Sequence, residues 1–315
     1  MPFAQKLISW QRRHGRRGLP WQGTRDPYRI WLAEVMLQQT QVAAVIPYYE
    51  RFVQRFPTVA QLARADEDEV LRLWSGLGYY ARGRNLHAAA RIISSRGFPR
   101  TATAIQDLPG VGRSTAAAIA AFAFGERAAI LDGNAKRVLS RLFGLSDEKD
   151  LWEKAQKLLP RNHIETYTQA LMDLGATVCT RAPKCSACPV ARQCVARREN
   201  RIRELPAPRA RKPLPLRKAK WFVYLHAGQV LLERRPSAGV WGGLWCFPEK
   251  AMTSAQHMRK LEPIDHGFTH FRLRIQPWLC EGVRPEGLWL DLDDALTAAV
   301  PAPVRALLES LSASR

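Results

Sequence analysis

Residues 108–115 read Leu108-Pro109-Gly110-Val111-Gly112-Arg113-Ser114-Thr115 and stand between two runs of helical character. Two glycines one residue apart let the backbone take conformations that other residues resist, and let a ligand come close. Their N–H groups, beside a helix N-terminus, would suit a phosphate oxygen. That is the logic of a helix-hairpin-helix element holding a nucleic-acid backbone without reading its bases. Pro-Gly-x-Gly also makes ordinary helix–helix turns, and at this point both readings stand. Downstream, residues 115–124 are Ala-rich and apolar all round, which predicts a buried central helix. Upstream, Glu34-Val35-Met36-Leu37 with Val42, Val45 and Ile46 spaces apolar side chains at helical intervals. Pro and Gly punctuate between the runs, and no internal repeat is present. Residues 1–196 are therefore expected to form a mainly α domain.

The 315 residues suffice for two domains, and 46% hydrophobic content suffices for real cores. The longest apolar run, 116–124, falls far short of the roughly 20 residues that span a bilayer, so a membrane protein is not expected. Net charge is +20, which points to an anionic partner, nucleic acid first. The charge is segregated: residues 1–196 carry 28 basic and 16 acidic side chains, 197–220 carry 10 and 2, and 221–315 carry 10 of each. With Pro206, Pro208, Pro213 and Pro215, residues 197–220 read as a basic, extended linker. Beyond it the periodicity changes to two. Phe271, Leu273 and Ile275 alternate with polar residues, and 221–225 and 230–232 read as a strand pair across Ala227-Gly228. A smaller α/β domain over 221–315, ending in a helix at about 303–311, is expected.

Four of six cysteines, Cys179, Cys185, Cys188 and Cys194, fall within one short loop, while Cys246 and Cys280 are isolated. A secreted disulfide scaffold would spread them, so a reducing, cytoplasmic compartment is expected. The spacing favours a [4Fe–4S] cluster, with zinc the alternative, because structural zinc usually takes two separated Cys-x-x-Cys knuckles. Two carboxylates keep unusual company. Glu34 sits in a largely apolar helix beside Gln38, Gln39 and Gln41, where desolvation would raise its pKa and suit it to give up a proton. Asp132, in Ile130-Leu131-Asp132-Gly133-Asn134, reads equally as a helix N-cap. Both carboxylates also have plain structural readings.

Together these residues resemble the adenine DNA glycosylases of the MutY family, in the endonuclease III helix-hairpin-helix superfamily. WLAEVMLQQTQVAAVIPYYERF at 31–52, GLGYYARGRNLH at 76–87, LPGVGRSTAAAI at 108–119 with ILDGNAKRVLSR at 130–141, and the cysteine loop carry the resemblance. WGGLWCFP at 241–248 and FTHF at 268–271 resemble the family's MutT-like domain. The resemblance implies a helical glycosylase domain over 1–196, its helix-hairpin-helix at about 102–120 and a [4Fe–4S] loop at 179–194. It implies a monomer that acts on double-stranded DNA containing 8-oxoguanine:adenine or guanine:adenine mispairs. By the same resemblance Glu34 protonates the adenine, Asp132 stabilises or attacks the oxocarbenium-like sugar, and Asn134 helps orient that chemistry. Gln38, Gln39 and Tyr80 match positions that fill or wedge the duplex. Gly110, Gly112 and Ser114 match its hairpin, and Phe268, Thr269 and His270 match the loop that reads 8-oxoguanine. Ser114 stands where lyase members carry the Schiff-base lysine, which implies a monofunctional enzyme leaving an abasic site.

Three departures stand out. Cys179 and Cys185 enclose five residues where six are usual, Thr269 replaces the usual serine, and no Glu-rich Nudix box follows Gly242-Gly243. Without those carboxylates nucleotide hydrolysis is not expected. The alternatives are a bifunctional glycosylase/AP lyase of the endonuclease III kind and a non-catalytic iron–sulfur DNA-binding protein.

Overall fold

The computed structural model describes residues 2–207, 213–252 and 257–313; the middle of the basic segment, 208–212, lies outside them. No helix among the described residues is long and apolar enough to cross a membrane. The helices run α1 (Phe3–His14), α2 (Pro27–Leu37), α3 (Val42–Arg55), α4 (Val59–Arg64), α5 (Glu67–Trp74) and α6 (Ala81–Arg96). They continue as α7 (Ala102–Gln106), α8 (Arg113–Phe124), α9 (Gly133–Phe143), α10 (Glu148–Lys157), α11 (Ile164–Asp173) and α12 (Val195–Arg198). Then follow β1 (Leu216–His226), β2 (Gln229–Arg234), β3 (Trp245–Cys246), β4 (His257–Lys260), β5 (Ile264–Gly267), β6 (Arg272–Glu281), β7 (Leu288–Asp291), α13 (Leu292–Thr297) and α14 (Ala302–Ala313).

The chain divides into two compact units, 1–63 with 88–210 and 64–87 with 211–315. In the first, α8 supplies the centre: Ala116 to Ala121 are all buried, so neighbouring helices approach closely. Leu7, Trp10, Leu139, Tyr167 and Leu171 close around it. Asp26 caps α2 by accepting from Tyr28 N, with Pro27 at the first helical position. Gly125 and Gly144 end α8 and α9 at φ +70°, which glycine adopts without a Cβ penalty. α11 passes into a π-helical turn at Leu174–Val178, a rare form often found at functional sites.

The second unit is a mixed sheet in the order β3-β2-β1-β6-β4, with β5 on β6 and β7 on β2. β1 and β6 run parallel, Leu216 opposite Arg272 through Tyr224 opposite Cys280. The β1–β2 hairpin turns at Ala227-Gly228. The basic segment is not one linker. Its first residues close α12, and Leu216–Lys220 already pair with β6, whose edge satisfies their backbone groups. Residues 64–87 also group differently from a division drawn at 197. Leu71 of α5 is buried in the core formed by Trp221, Leu244 and Phe247, and Asp68 pairs with Arg234 at 2.7 Å.

Candidate active site

Both carboxylates line one cavity of about 750 Å³ in the first unit. Glu34 comes from the last turns of α2, and Asp132 is the N-cap of α9. The Asp132 carboxylate accepts from Ala135 N (2.9 Å) and Asn134 N (3.2 Å), so capping fixes its orientation towards the cavity. One residue earlier, Leu131 N donates to Ser114 Oγ at 2.9 Å. Ser114 therefore ties the start of α8 to the segment leading into Asp132. Asn134 Oδ1 accepts from Arg137 Nη2 (2.9 Å), and that guanidinium also donates to Gly175 O and Cys179 O, both at 2.6 Å. Gly175, in the π turn, allows the approach: a Cβ there would lie 2.5 Å from Asn134 Cβ.

Glu34 is enclosed on most sides. Burial pushes its carboxyl up to about 8, the Asp132 carboxylate adds repulsion, and Arg16 opposes the rise. Arg16 is held by Asp173, which is fully buried: Arg16 N and Nε donate to its two oxygens at 3.0 and 2.7 Å. Gln169 Nε2 donates to the same carboxylate at 2.9 Å. Arg16 and Glu34 also line a second cavity of about 430 Å³, walled by Trp21, Gln22, Phe122 and Gln169. Among the described residues lining either cavity there is no lysine.

At the hairpin, Gly110 takes φ +76° and Gly112 forms the N-cap of α8 with no side-chain cap. Nothing lies within 4 Å of a Cβ built at Gly112, so the protein interior does not demand glycine there. Gln38 Nε2 donates to Gly110 O (3.2 Å) and Thr115 Oγ1 (3.4 Å), joining the end of α2 to this hairpin. Gln39 is exposed in the left-handed region at φ +57°.

In the second unit the two tyrosines of residues 76–80 differ in role. Tyr80 packs against the core, and its hydroxyl lies 3.4 Å from both Val300 O and Gly76 N. Tyr79 is 44% exposed, at φ +48°. The Tyr80 ring is thus partly taken up by the core, while the Tyr79 ring stands open to solvent. Phe268 stacks on Phe271 with centroids 4.4 Å apart, leaving Thr269 and His270 exposed with Thr269 Oγ1 3.3 Å from His270 Nδ1.

Cys179, Cys185, Cys188 and Cys194 line a single cavity of about 30 Å³ in the first unit, and none forms a disulfide. Among the described residues, no three His, Cys, Asp or Glu close on a point that one ion would fill. Arg141 of α9, almost fully buried, donates to Thr180 O at 2.6 Å and Leu205 O at 2.9 Å, and its Nη1 lies 3.6 Å from Cys179 Sγ.

Sequence reasoning did not single out Arg16, Asp173 and Gln169 beside Glu34, or the exposed Tyr79. The only available signal was a buried-type carboxylate in the apolar stretch Ala170-Leu171-Met172-Asp173-Leu174, which by itself names no partner.

The sequence model for HhH-GPD superfamily base excision DNA repair proteins matches residues 32–161, and that for the NUDIX domain matches 220–310. An adenine DNA glycosylase of Buchnera aphidicola subsp. Baizongia pistaciae is 34% identical across 98% of this chain and 96% of its own length. The human adenine DNA glycosylase is also 34% identical, across 96% of this chain and 72% of its own length. Among solved structures, a thermostable thymine-DNA glycosylase matches with a TM-score of 0.58 at 32% identity, covering 62% of this chain and 95% of that one. A non-covalent endonuclease III–DNA complex shares the fold at 22% identity and a TM-score of 0.55, covering 64% of this chain and 99% of that one. With two carboxylates facing one cavity behind a helix-hairpin-helix, and relatives aligned over most of their length, the chain belongs to the adenine DNA glycosylases, DNA N-glycosylases of base excision repair.

Proposed function

We propose that this enzyme removes adenine mispaired with 8-oxoguanine or guanine in duplex DNA by hydrolysis alone, leaving an abasic site. The observation that carries the reading is Glu34, a carboxyl raised to about 8, standing between two cavities with the capped Asp132 across one of them. The target nucleotide must leave the stack, at a cost of a few kcal/mol. Its base enters the chamber walled by Trp21, Gln22 and Gln169, and its sugar stays on the Asp132 side. Glu34 gives its proton to the adenine. The C1′–N bond then breaks with its electron pair going to the base, which leaves neutral. The Asp132 carboxylate stabilises the cationic sugar, water adds at C1′, and the Glu34 carboxylate takes back a proton. A lyase needs an amine for a Schiff base. Ser114 offers a hydroxyl already engaged by Leu131 N, and among the described residues no lysine lines the cavity.

DNA would be held by its backbone at Gly110 and Gly112 on the open N-terminus of α8. Gln38, Gln39 and the exposed Tyr79 would fill the gap left by the flipped base, and Phe268, Thr269 and His270 would meet the oxidised guanine. The four cysteines line one small cavity, and their spacing suits a [4Fe–4S] cluster better than zinc, whose structural sites usually take two separated Cys-x-x-Cys knuckles. Burial pushes the Cys179 and Cys188 thiols up, Cys188 to about 11, so cationic iron would be what keeps them as thiolates. When bound, the cluster would supply cross-linking of residues 179–194. Unpaired cysteines throughout fit a reducing, intracellular setting.

The test is single-turnover base release from a duplex with one adenine opposite 8-oxoguanine, developed with and without hot alkali. Adenine release with strand breaks only after alkali is expected. Breaks without alkali would make the enzyme a lyase. Glu34→Gln should lower the rate by about 10²- to 10⁴-fold while leaving duplex binding in place.

A further inference from the structure

Trp241 is held in the left-handed region at φ +54° although it is a bulky aromatic residue, and it is 8% exposed. Such a conformation is strained for a bulky side chain and persists only where the surroundings impose it. The surroundings lie within the second unit. The Trp241 ring packs on Trp221, His266 and Phe268 at centroid distances of 5.8, 5.5 and 5.6 Å. It is one of the rings around Phe268, with His266 at 4.7 Å and Phe271 stacked at 4.4 Å, at the base of the exposed Thr269 and His270.

The next two residues are pinned. A Cβ at Gly242 would lie 2.2 Å from Ser237 O, so no other residue fits. Gly243, at φ +78°, sits against Glu67, Leu71 and Arg84. The Arg84 guanidinium donates from Nη1 to Gly242 O, the carbonyl of the residue after Trp241, in the peptide that joins Gly242 to Gly243. Arg84 N in turn donates to Tyr80 O at 3.1 Å, so Arg84 lies one helical turn after the two tyrosines. The same patch is braced by Trp245 Nε1 donating to Asp68 at 3.1 Å and Ser75 Oγ donating to Val300 O at 2.8 Å.

We infer that Arg84 is a positioning residue for selectivity, fixing the turn that bears Tyr79 and the loop 268–270 in one register through Gly242 and Trp241. The inference rests on the reading of 268–270 as the loop that meets the oxidised base. A lesion seen by two loops at once is distinguished from guanine only while their spacing is held. Arg84 touches neither DNA strand in this scheme; it sets where two other groups meet the strands.

The test measures single-turnover adenine release opposite 8-oxoguanine and opposite guanine for the wild type, Arg84→Met, Arg84→Lys, Phe268→Ala and the double variant R84M/F268A. R84M is expected to cut the preference for 8-oxoguanine by about tenfold while the rate opposite guanine stays within about twofold. Arg84→Lys, which keeps a donor for the carbonyl, recovers most of the preference. The double variant is no more impaired than Phe268→Ala alone. Equal losses on both duplexes, no rescue by lysine, or additive effects would overturn the inference and leave Arg84 as a structural brace. If Phe268→Ala itself leaves the preference unchanged, the reading of 268–270 fails and the inference fails with it. A clear Phe268→Ala effect beside an unaltered R84M preference overturns the coupling alone.

Discussion

As the proposed proton donor Glu34 would work only in its protonated form, and a carboxyl pushed up to about 8 keeps that form through neutral pH. Single-turnover excision should therefore be flat below pH 8 and fall about tenfold per unit above it. A profile falling already above pH 5 would show an ordinary carboxylate. The same shift carries a stability cost with the opposite sign from a salt-bridged acid. The folded state binds this proton more tightly than the unfolded chain, so stability declines as pH rises from the ordinary 4.5 towards 8. Glu34→Gln escapes the penalty and should be more stable than the wild type at pH 9, by about 1–3 kcal/mol given the residue's opening to the cavity. Asp132 caps α9, and in the proposed reaction it has a second task that substitution separates from the first. Asparagine still caps α9 but carries no charge, so Asp132→Asn should lose activity with its melting temperature nearly kept. Asp132→Ala should lose activity and about 1 kcal/mol of stability as well. Both carboxylates were legible in the sequence, because apolar helical neighbours around one and a Gly-Asn step after the other are local signals. Arg16 and Asp173 were not, since they meet across 157 residues and neither one's neighbours name the other.

At the level of elements, α9 links the cavity to the cysteine loop. Its first residue follows Asp132, Arg137 reaches the π turn, and Arg141 holds Thr180 and Leu205. Losing the proposed cluster, and with it the cross-link of residues 179–194, should therefore disturb the cap of α9, although no cysteine lines the main cavity. The hairpin shows the opposite case, a turn whose second glycine the protein's own packing does not require. Gly110 needs its positive φ, but Gly112 has an ordinary φ of −86° and open space where a Cβ would go. Gly112→Ala should leave thermal stability within about 0.5 kcal/mol and weaken duplex binding several-fold; calorimetry and a binding titration together check both halves. Unchanged binding would mean that this turn does not hold phosphate. The sequence could place the hairpin between two helices, but not decide between a grip and a plain turn, because that depends on the space around a glycine. The Tyr79–Tyr80 pair has the same character: adjacent identical residues are told apart only by which ring the core takes.

Across the whole molecule, the surplus of +20 lies in the first 220 residues, while 221–315 are balanced. Binding should accordingly weaken steeply with salt, by about 10³- to 10⁵-fold between 50 and 200 mM if six to ten phosphates are contacted. A shallow dependence would mean that the basic surface faces something other than a nucleic-acid backbone. The fold classes of both parts were legible from the change of periodicity near Trp221. The grouping of 64–87 with the later part of the chain was not, because an eight-residue amphipathic helix such as α5 shows that it has a buried side without showing whose core covers it. The shared wall formed by Glu34 and Arg16 has a consequence for turnover. A base cut from its sugar at that wall is left in a compartment of its own, so the two products need not depart together. Free adenine supplied in excess would refill that compartment and retard later cycles, while the first cycle, begun with the chamber empty, would run at its usual speed.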